Sequence, residues 1–224
     1  MVALVGGTGA AGRGLASRFA LAGLPVRIGS RDLDKARKAA ASIAETTKNE
    51  NVTGHMNKDA VAGAGIVVLT IPIAAHARTS QEIRDALEPG TIVVDATVPL
   101  EIAIGGRLSR TITLWDGSAA QQAARLLPKA RVTAAFHTLS AETLLHLDQP
   151  LGCDTLVCGD DPDAKKTTME LATKIAGLRS VDAGPLENAR LLEGLAALLI
   201  STNHRYRCKG SGVHITGLPE EGTA

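Results

Sequence analysis

From its second residue the chain alternates apolar runs of strand length with amphipathic stretches of helical length, and the first junction carries the spacing Gly7-x-Gly9-x-x-Gly12. A strand that feeds a helix through glycines at these positions leaves few folds open. Gly7 permits the tight turn, Gly9 lets a pyrophosphate approach the backbone, and Gly12 lets the helix pack closely on the strand. The helix N-terminus adds free N–H groups and a partial positive charge suited to phosphates. Runs 2–5, 25–29, 52–55, 65–71, 91–95 and 131–135 read as strands. Stretches 12–22, 32–47, 57–62, 75–87 and 118–127 read as helices, the second capped by Asp32. Strict alternation predicts a doubly wound α/β fold, a mainly parallel sheet with helices on both faces.

After Pro150 the pattern weakens to a strand at 154–159, an acid-capped helix at 163–176, a strand at 178–182 and a long apolar helix at 186–205. The expected division is therefore a Rossmann-type domain over residues 1–150 and a small C-terminal α/β appendage over 151–224. The tail from Gly210 to Ala224 should be irregular, with Val213-His-Ile215 able to lie against the body.

Composition excludes several classes. Of 224 residues, 24 are Lys or Arg and 23 Asp or Glu, a net charge of +1 that lacks the global field of a nucleic-acid binder. One Trp, one Tyr and two Phe are too few for a base-stacking platform. Cys153, Cys158 and Cys208 suggest neither a disulfide framework nor a zinc site, so a reducing cytoplasm is expected and no metal. No secretory signal opens the chain, and no apolar stretch reaches the roughly 18 residues of a membrane span. The charge is also uneven. Between Gly12 and Lys38 there are seven basic residues against two acidic ones, as a phosphate-binding face would require.

At the end of the second strand, where NAD-binding domains place an acidic residue on the adenosine ribose, the chain reads Gly29-Ser30-Arg31, with Lys35 one helical turn on. A hydroxyl, a guanidinium and an ammonium suit a 2′-phosphate, so NADP is expected rather than NAD. Thr70-Ile71-Pro72 and Thr97-Val98 end later strands at the carboxyl edge of the sheet, where ligands of doubly wound proteins bind; Ile71 and Pro72 should meet the nicotinamide side. His137 should reach the same edge, either to bond a substrate or as a structural partner, and His76 lies near it with a weaker claim. No nucleophile–base pair or carboxylate dyad emerges. If the chain is an enzyme, the cofactor carries the chemistry and the protein orients it.

The residues are similar to a known family, the NADPH-dependent reductases of coenzyme F-420. The resemblance rests on Val2-Ala-Leu-Val-Gly-Gly-Thr-Gly9 with Gly12, Gly29-Ser-Arg31, Leu69-Thr-Ile-Pro72, Ala135-Phe-His-Thr138, Val157-Cys-Gly-Asp-Asp161, Asp182-Ala-Gly-Pro-Leu186 and the closing Ile215-Thr-Gly-Leu-Pro219. It implies hydride transfer between NADP(H) and the deazaflavin F-420, usually in a homodimer, with the deazaflavin between the two domains. Thr8, Gly9, Ala10 and Ala11 would hold the pyrophosphate, Ser30, Arg31 and Lys35 the 2′-phosphate, and Ile71, Val98 and Ala141 the nicotinamide end. His137, the one catalytic candidate, would sit by the deazaflavin ring. Leu139-Ser140 departs from the Ile-Pro of archaeal members. The scarcity of rings implies a deazaflavin held by aliphatic or backbone groups rather than Trp or Tyr. Alternatives are a reductase of a small imine or ketone on the same fold, and a non-catalytic NADP sensor.

Overall fold

The computed structural model describes residues 1–218; Pro219 and the rest of the tail lie outside the described residues. Eight strands form one sheet: β1 (Val2–Val5), β2 (Val26–Ser30), β3 (Val52–Met56), β4 (Ile66–Leu69), β5 (Ile92–Asp95), β6 (Arg131–Ala134), β7 (Cys153–Gly159) and β8 (Leu178–Asp182). Their order is β3-β2-β1-β4-β5-β6-β7-β8, parallel except where β7 runs antiparallel to β6. The helices are α1 (Ala10–Leu21), α2 (Leu33–Thr47), α3 (Asn57–Val61), α4 (Ile73–Ile83), α5 (Ala119–Leu126), α6 (Ala141–Leu145), α7 (Pro162–Thr173) and α8 (Ala189–Tyr206). The doubly wound α/β expectation holds. The strands after residue 150 extend the same sheet rather than building another.

Both sheet faces are covered, which is why the strands read as unbroken apolar runs. On β1, Val2 and Leu4 join the core under α1 and α2 with Leu15, Phe19 and Ile28, while Ala3 and Val5 join the opposite core with Val67, Leu69 and Val93. This alternation is the strand period of two carried through a buried sheet.

Local chemistry sets the helix starts. Asp32 Oδ1 accepts the Lys35 N–H (3.1 Å), and Asp161 Oδ1 accepts the Ala164 N–H (2.8 Å) ahead of Pro162, both as the sequence predicts. The first helix begins at Ala10, earlier than expected. Two elements were not expected: α6, and a 3-10 turn at Glu101–Ile104. Each is too short to show a helical period. Ser140, the second residue of the Leu139-Ser140 departure, caps α6 by accepting the Thr143 N–H (3.3 Å) and also donates to the Lys209 carbonyl.

Arg18 corrects part of the charge reading. It is buried, and its guanidinium donates to the carbonyls of Thr143 (2.9 Å), Leu144 (3.0 Å), His146 (2.6 Å) and Gln149 (2.8 Å). It thus satisfies the orphan carbonyls that end α6 and holds that helix on α1. Arg18 serves packing rather than a phosphate face. The tail does lie against the body: the Asp154 N–H donates to the Val213 carbonyl (2.7 Å) and the Ile215 N–H to Asp154 Oδ2 (2.6 Å). No described helix is long and apolar enough to cross a membrane.

Candidate functional site

The carboxyl edge of β1, β2, β4 and β5 opens on a cavity of about 650 Å³. Its wall contains Thr8, Gly9, Ala10 and Ala11 at one end of the turn, Ser30, Arg31 and Lys35 beside β2, and Ile71, Pro72 and Val98 on the other side. Gly7 and Gly12 are buried behind that wall. A Cβ on Gly12 would lie 2.6 Å from Thr70 Oγ1 and 2.7 Å from the Gly7 Cα; one on Gly7 would lie 2.9 Å from the Leu4 carbonyl oxygen. The turn itself is made by Gly6, whose φ of 77° only glycine adopts at little cost. The role assigned to Gly7 by spacing therefore belongs to Gly6, and Gly7 is a close-packing residue.

Gly9 caps α1 with no side-chain hydrogen bond, so the first N–H groups of the helix remain open to an anionic ligand. At the far end the Ser30 oxygen accepts the Asp32 N–H (3.1 Å), which leaves its own proton free to donate. Asp32 is the carboxylate nearest this end. The Lys35 backbone N–H, with the Lys35 charge, holds its carboxyl below the usual range, and the Lys35 ammonium stands 3.7 Å away. Asn57 also lines this end, a residue the sequence did not single out; its signal was its place directly after β3.

A second cavity of about 280 Å³ adjoins the first, and Ala11, Thr70, Ala96 and Val98 line both. Its remaining wall is largely aliphatic: Leu15, Leu139 and Leu144 on one side, Leu199 and Ile200 of α8 on the other, with Phe136 the one phenyl ring among the described lining residues. Ala141 and His137 belong here as well. Trp115 and Tyr206 stand exposed elsewhere. Phe136 adopts φ 70°, strained for a bulky residue, and is held by its N–H to Thr155 Oγ1 (3.0 Å) and an edge contact with Phe19 at 6.0 Å. That turn delivers His137.

His137 is buried, and neither ring nitrogen finds a hydrogen-bond partner; nor does the buried hydroxyl of Thr97. Orphaned polar groups of this kind cost about 1–3 kcal/mol each, which a polar ligand atom would relieve. Burial pushes the His137 pKa down to about 4, against the opposing pull of the Asp95 carboxylate and the Thr97 backbone. The imidazole is neutral at pH 7. An unfolded chain protonates this ring near pH 6.5 and the folded one only near 4, so its contribution is complete above 6.5 and disappears as pH falls toward 4. His137→Gln should therefore remove on the order of 3 kcal/mol of acid sensitivity between those limits, measured by urea unfolding against pH. A variant that tracks the native protein through this window would contradict the assignment.

Beneath the edge lies a buried polar cluster. His76 Nε2 donates to Asp95 Oδ2 (2.6 Å) and Nδ1 meets Gln122 Oε1 (2.9 Å), while Asp95 Oδ1 accepts the Thr97 N–H (2.7 Å). Glu193 of α8 joins from the far side, accepting the Ala119 N–H (2.7 Å). Burial alone would lower the His76 pKa, but the Asp95 carboxylate and both hydrogen bonds carry it above the ordinary value. Burial lifts Glu193 to about 8, so its carboxyl is neutral beside the pair. Sequence reading gave His76 a minor place and overlooked Glu193, whose signal was a carboxylate inside an otherwise apolar helix. The cluster fixes the backbone that carries Thr97 into the first cavity and Val98 into both.

Residues 1–99 match the family model described as "NADP oxidoreductase coenzyme F420-dependent". The chain is 47% identical to the F420-dependent NADP reductase of Methanothermobacter thermautotrophicus, over 98% of this chain and 96% of that protein. It is 39% identical to the F420-dependent NADP reductase of Methanocaldococcus jannaschii, over 97% and 98%. Among solved structures, one from Arthrobacter sp. FB24 superposes with a TM-score of 0.78 at 25% identity, covering 96% of this chain and 99% of that one.

Proposed function

Because the chain belongs to the family of F420-dependent NADP reductases, we propose that its two adjoining cavities are the two halves of one hydride-transfer site. The protein is an oxidoreductase that exchanges a hydride between NADP(H) and coenzyme F-420. The observation that supports the placement is the shared wall: Ala11, Thr70, Ala96 and Val98 face a phosphate-binding groove on one side and a largely aliphatic slot on the other.

The N-terminus of α1 with Thr8, Gly9, Ala10 and Ala11 holds the pyrophosphate, and Ser30, Arg31 and Lys35 hold the 2′-phosphate. Ile71, Pro72, Val98 and Ala141 bound the nicotinamide. The deazaflavin lies in the slot, closed by α8 from the segment 151–224, with His137 at its ring. Bound together, the nicotinamide and the deazaflavin would supply the hydride exchange, and the chain contributes position and exclusion of water rather than an obligatory acid or base. A neutral, unpartnered His137 suits a hydrogen bond to the ring system better than proton transfer. Leu191 and Leu198, exposed seven residues apart on α8, support a homodimer.

The cofactor half is tested by Arg31→Glu. The KM for NADPH should rise at least roughly thirtyfold, because a charge-assisted contact to the phosphate is replaced by repulsion, while that for NADH changes little. Equal loss for both nucleotides would remove the basis of the 2′-phosphate assignment.

A further inference from the structure

The buried carboxyl of Glu193 has no part in the chemistry above, yet it stands where the wall of the slot joins the rest of the molecule. Ala189, Leu192, Glu193, Ala196 and Ala197 make the buried face of α8, at the i, i+3, i+4, i+7 spacing of a helix packed along one side. Beyond Ala197 no residue of α8 is buried. The same face runs on as Leu199, Ile200 and Asn203, which line the slot together with Ala196. The wall of the slot is thus the overhanging half of a helix whose other half is packed down. Its neighbour α5 buries only alanines, Ala119, Ala120 and Ala123, and the last two share a core with Ala189 and Leu192. Surfaces this smooth interlock little, so packing alone fixes the roll and register of α8 weakly.

A polar bond supplies what smooth packing does not. Glu193 accepts the Ala119 N–H (2.7 Å), a first-turn donor of α5 with no partner inside its own helix. The groups that face the carboxyl from α4 and β5 are His76 and Asp95, which pair with each other. Burial keeps the acid protonated up to about pH 8, so the bond to α5 holds without a charge. A buried acid is costly in an apolar helix unless its bond is used. Further along, Asn203 Oδ1 accepts the Ser211 N–H (3.1 Å), which ties the overhang to the segment docked on β7. We infer that Glu193 is a positioning residue for the hydride exchange: its bond to α5 fixes the height and roll of α8, and hence the width of the slot. The inference rests on the functional reading above. Leu199 and Ile200 lie ~10 Å beyond Glu193 along the helix axis, so a swing of about 5° at Glu193 displaces them by ~1 Å. A shift of that size is what a reaction between two bound partners tolerates least. No described residue of α8 lines the dinucleotide cavity, so that half of the site should be indifferent to the change.

The test replaces the acid in two ways at pH 7. Glu193→Gln keeps a neutral oxygen to accept the Ala119 N–H, whereas Glu193→Leu fills similar space and accepts nothing. In the leucine variant kcat/KM for F-420 should fall at least roughly tenfold, and amide exchange at Ala119 and along residues 195–203 should speed up by a similar factor. The glutamine variant should stay within about threefold of the native protein in both measurements. The Kd for NADPH, titrated with no F-420 present, should stay within about twofold of native in each variant. Glu193→Met, unbranched and more easily fitted, takes the place of leucine if that variant does not fold. An unchanged kcat/KM for F-420 in the leucine or methionine variant, a glutamine variant as impaired as these, or a parallel loss of NADPH binding would each overturn the proposal. If the native protein reduced no F-420, the functional reading itself would fail, and this role with it.

Discussion

His76→Ala is expected to destabilise the fold by about 3–5 kcal/mol, the range for removing one partner of a buried ion pair. The histidine is fully buried, and it is the group that neutralises Asp95, which is fully buried too. Without it a carboxylate would be left between β5 and α4 with the Thr97 N–H as its remaining hydrogen bond. Asp95 would then rise toward a neutral form, and the turn bearing Thr97 and Val98 would lose its anchor. Urea unfolding at pH 7 measures the first effect, and the KM for both substrates the second. A loss below about 1 kcal/mol would mean that the pair is not the buried ion pair described above.

The second large effect separates two glycines that the motif treats alike. Alanine at Gly12 would place its Cβ 2.6 Å from Thr70 Oγ1 and 2.8 Å from the Gly6 carbonyl oxygen, so α1 must lift away from the strand ends. That overpacking should cost about 1–3 kcal/mol and also weaken NADPH binding. Alanine at Gly9 would meet nothing nearer than the Gly6 carbonyl at 3.5 Å, an ordinary contact. Gly9→Ala should therefore leave stability unchanged within ~0.5 kcal/mol, while raising the KM for NADPH at least tenfold because the extra methyl lies where the pyrophosphate approaches. Thermal melts together with NADPH titrations resolve the two. Equal destabilisation of both variants would show that Gly9 is a packing residue and not a phosphate contact.

Much of this was legible in the residue order. Apolar runs alternating with amphipathic stretches disclosed a doubly wound sheet, because strands buried on both faces cannot hide their composition. The caps at Asp32 and Asp161 showed for a similar reason: an acidic residue just ahead of a helix has few other uses. What stayed hidden depended on contacts between distant positions. Arg18 reads as one more cation beside a phosphate turn, yet its partners lie more than a hundred residues away on the carbonyls that end α6. Glu193 and His76 look unrelated until α8 and α4 close on β5. Gly6 was overlooked for Gly7 because the spacing names positions, whereas the left-handed turn depends on the backbone path. The local surplus of charge was visible, but not that Lys35 lines the dinucleotide cavity while Arg13 and Lys38 do not.

The central claim is that one site joins an NADP groove to a deazaflavin slot. Mixing the protein with NADPH and purified F-420 near neutral or mildly acidic pH, and following the visible absorption band of the oxidised deazaflavin, tests it most directly. The account predicts that the band bleaches in step with loss of NADPH, one equivalent for one, and that NADH supports the reaction poorly. Consumption of NADPH with the deazaflavin band intact, or with an imine or ketone reduced in its place, would contradict it.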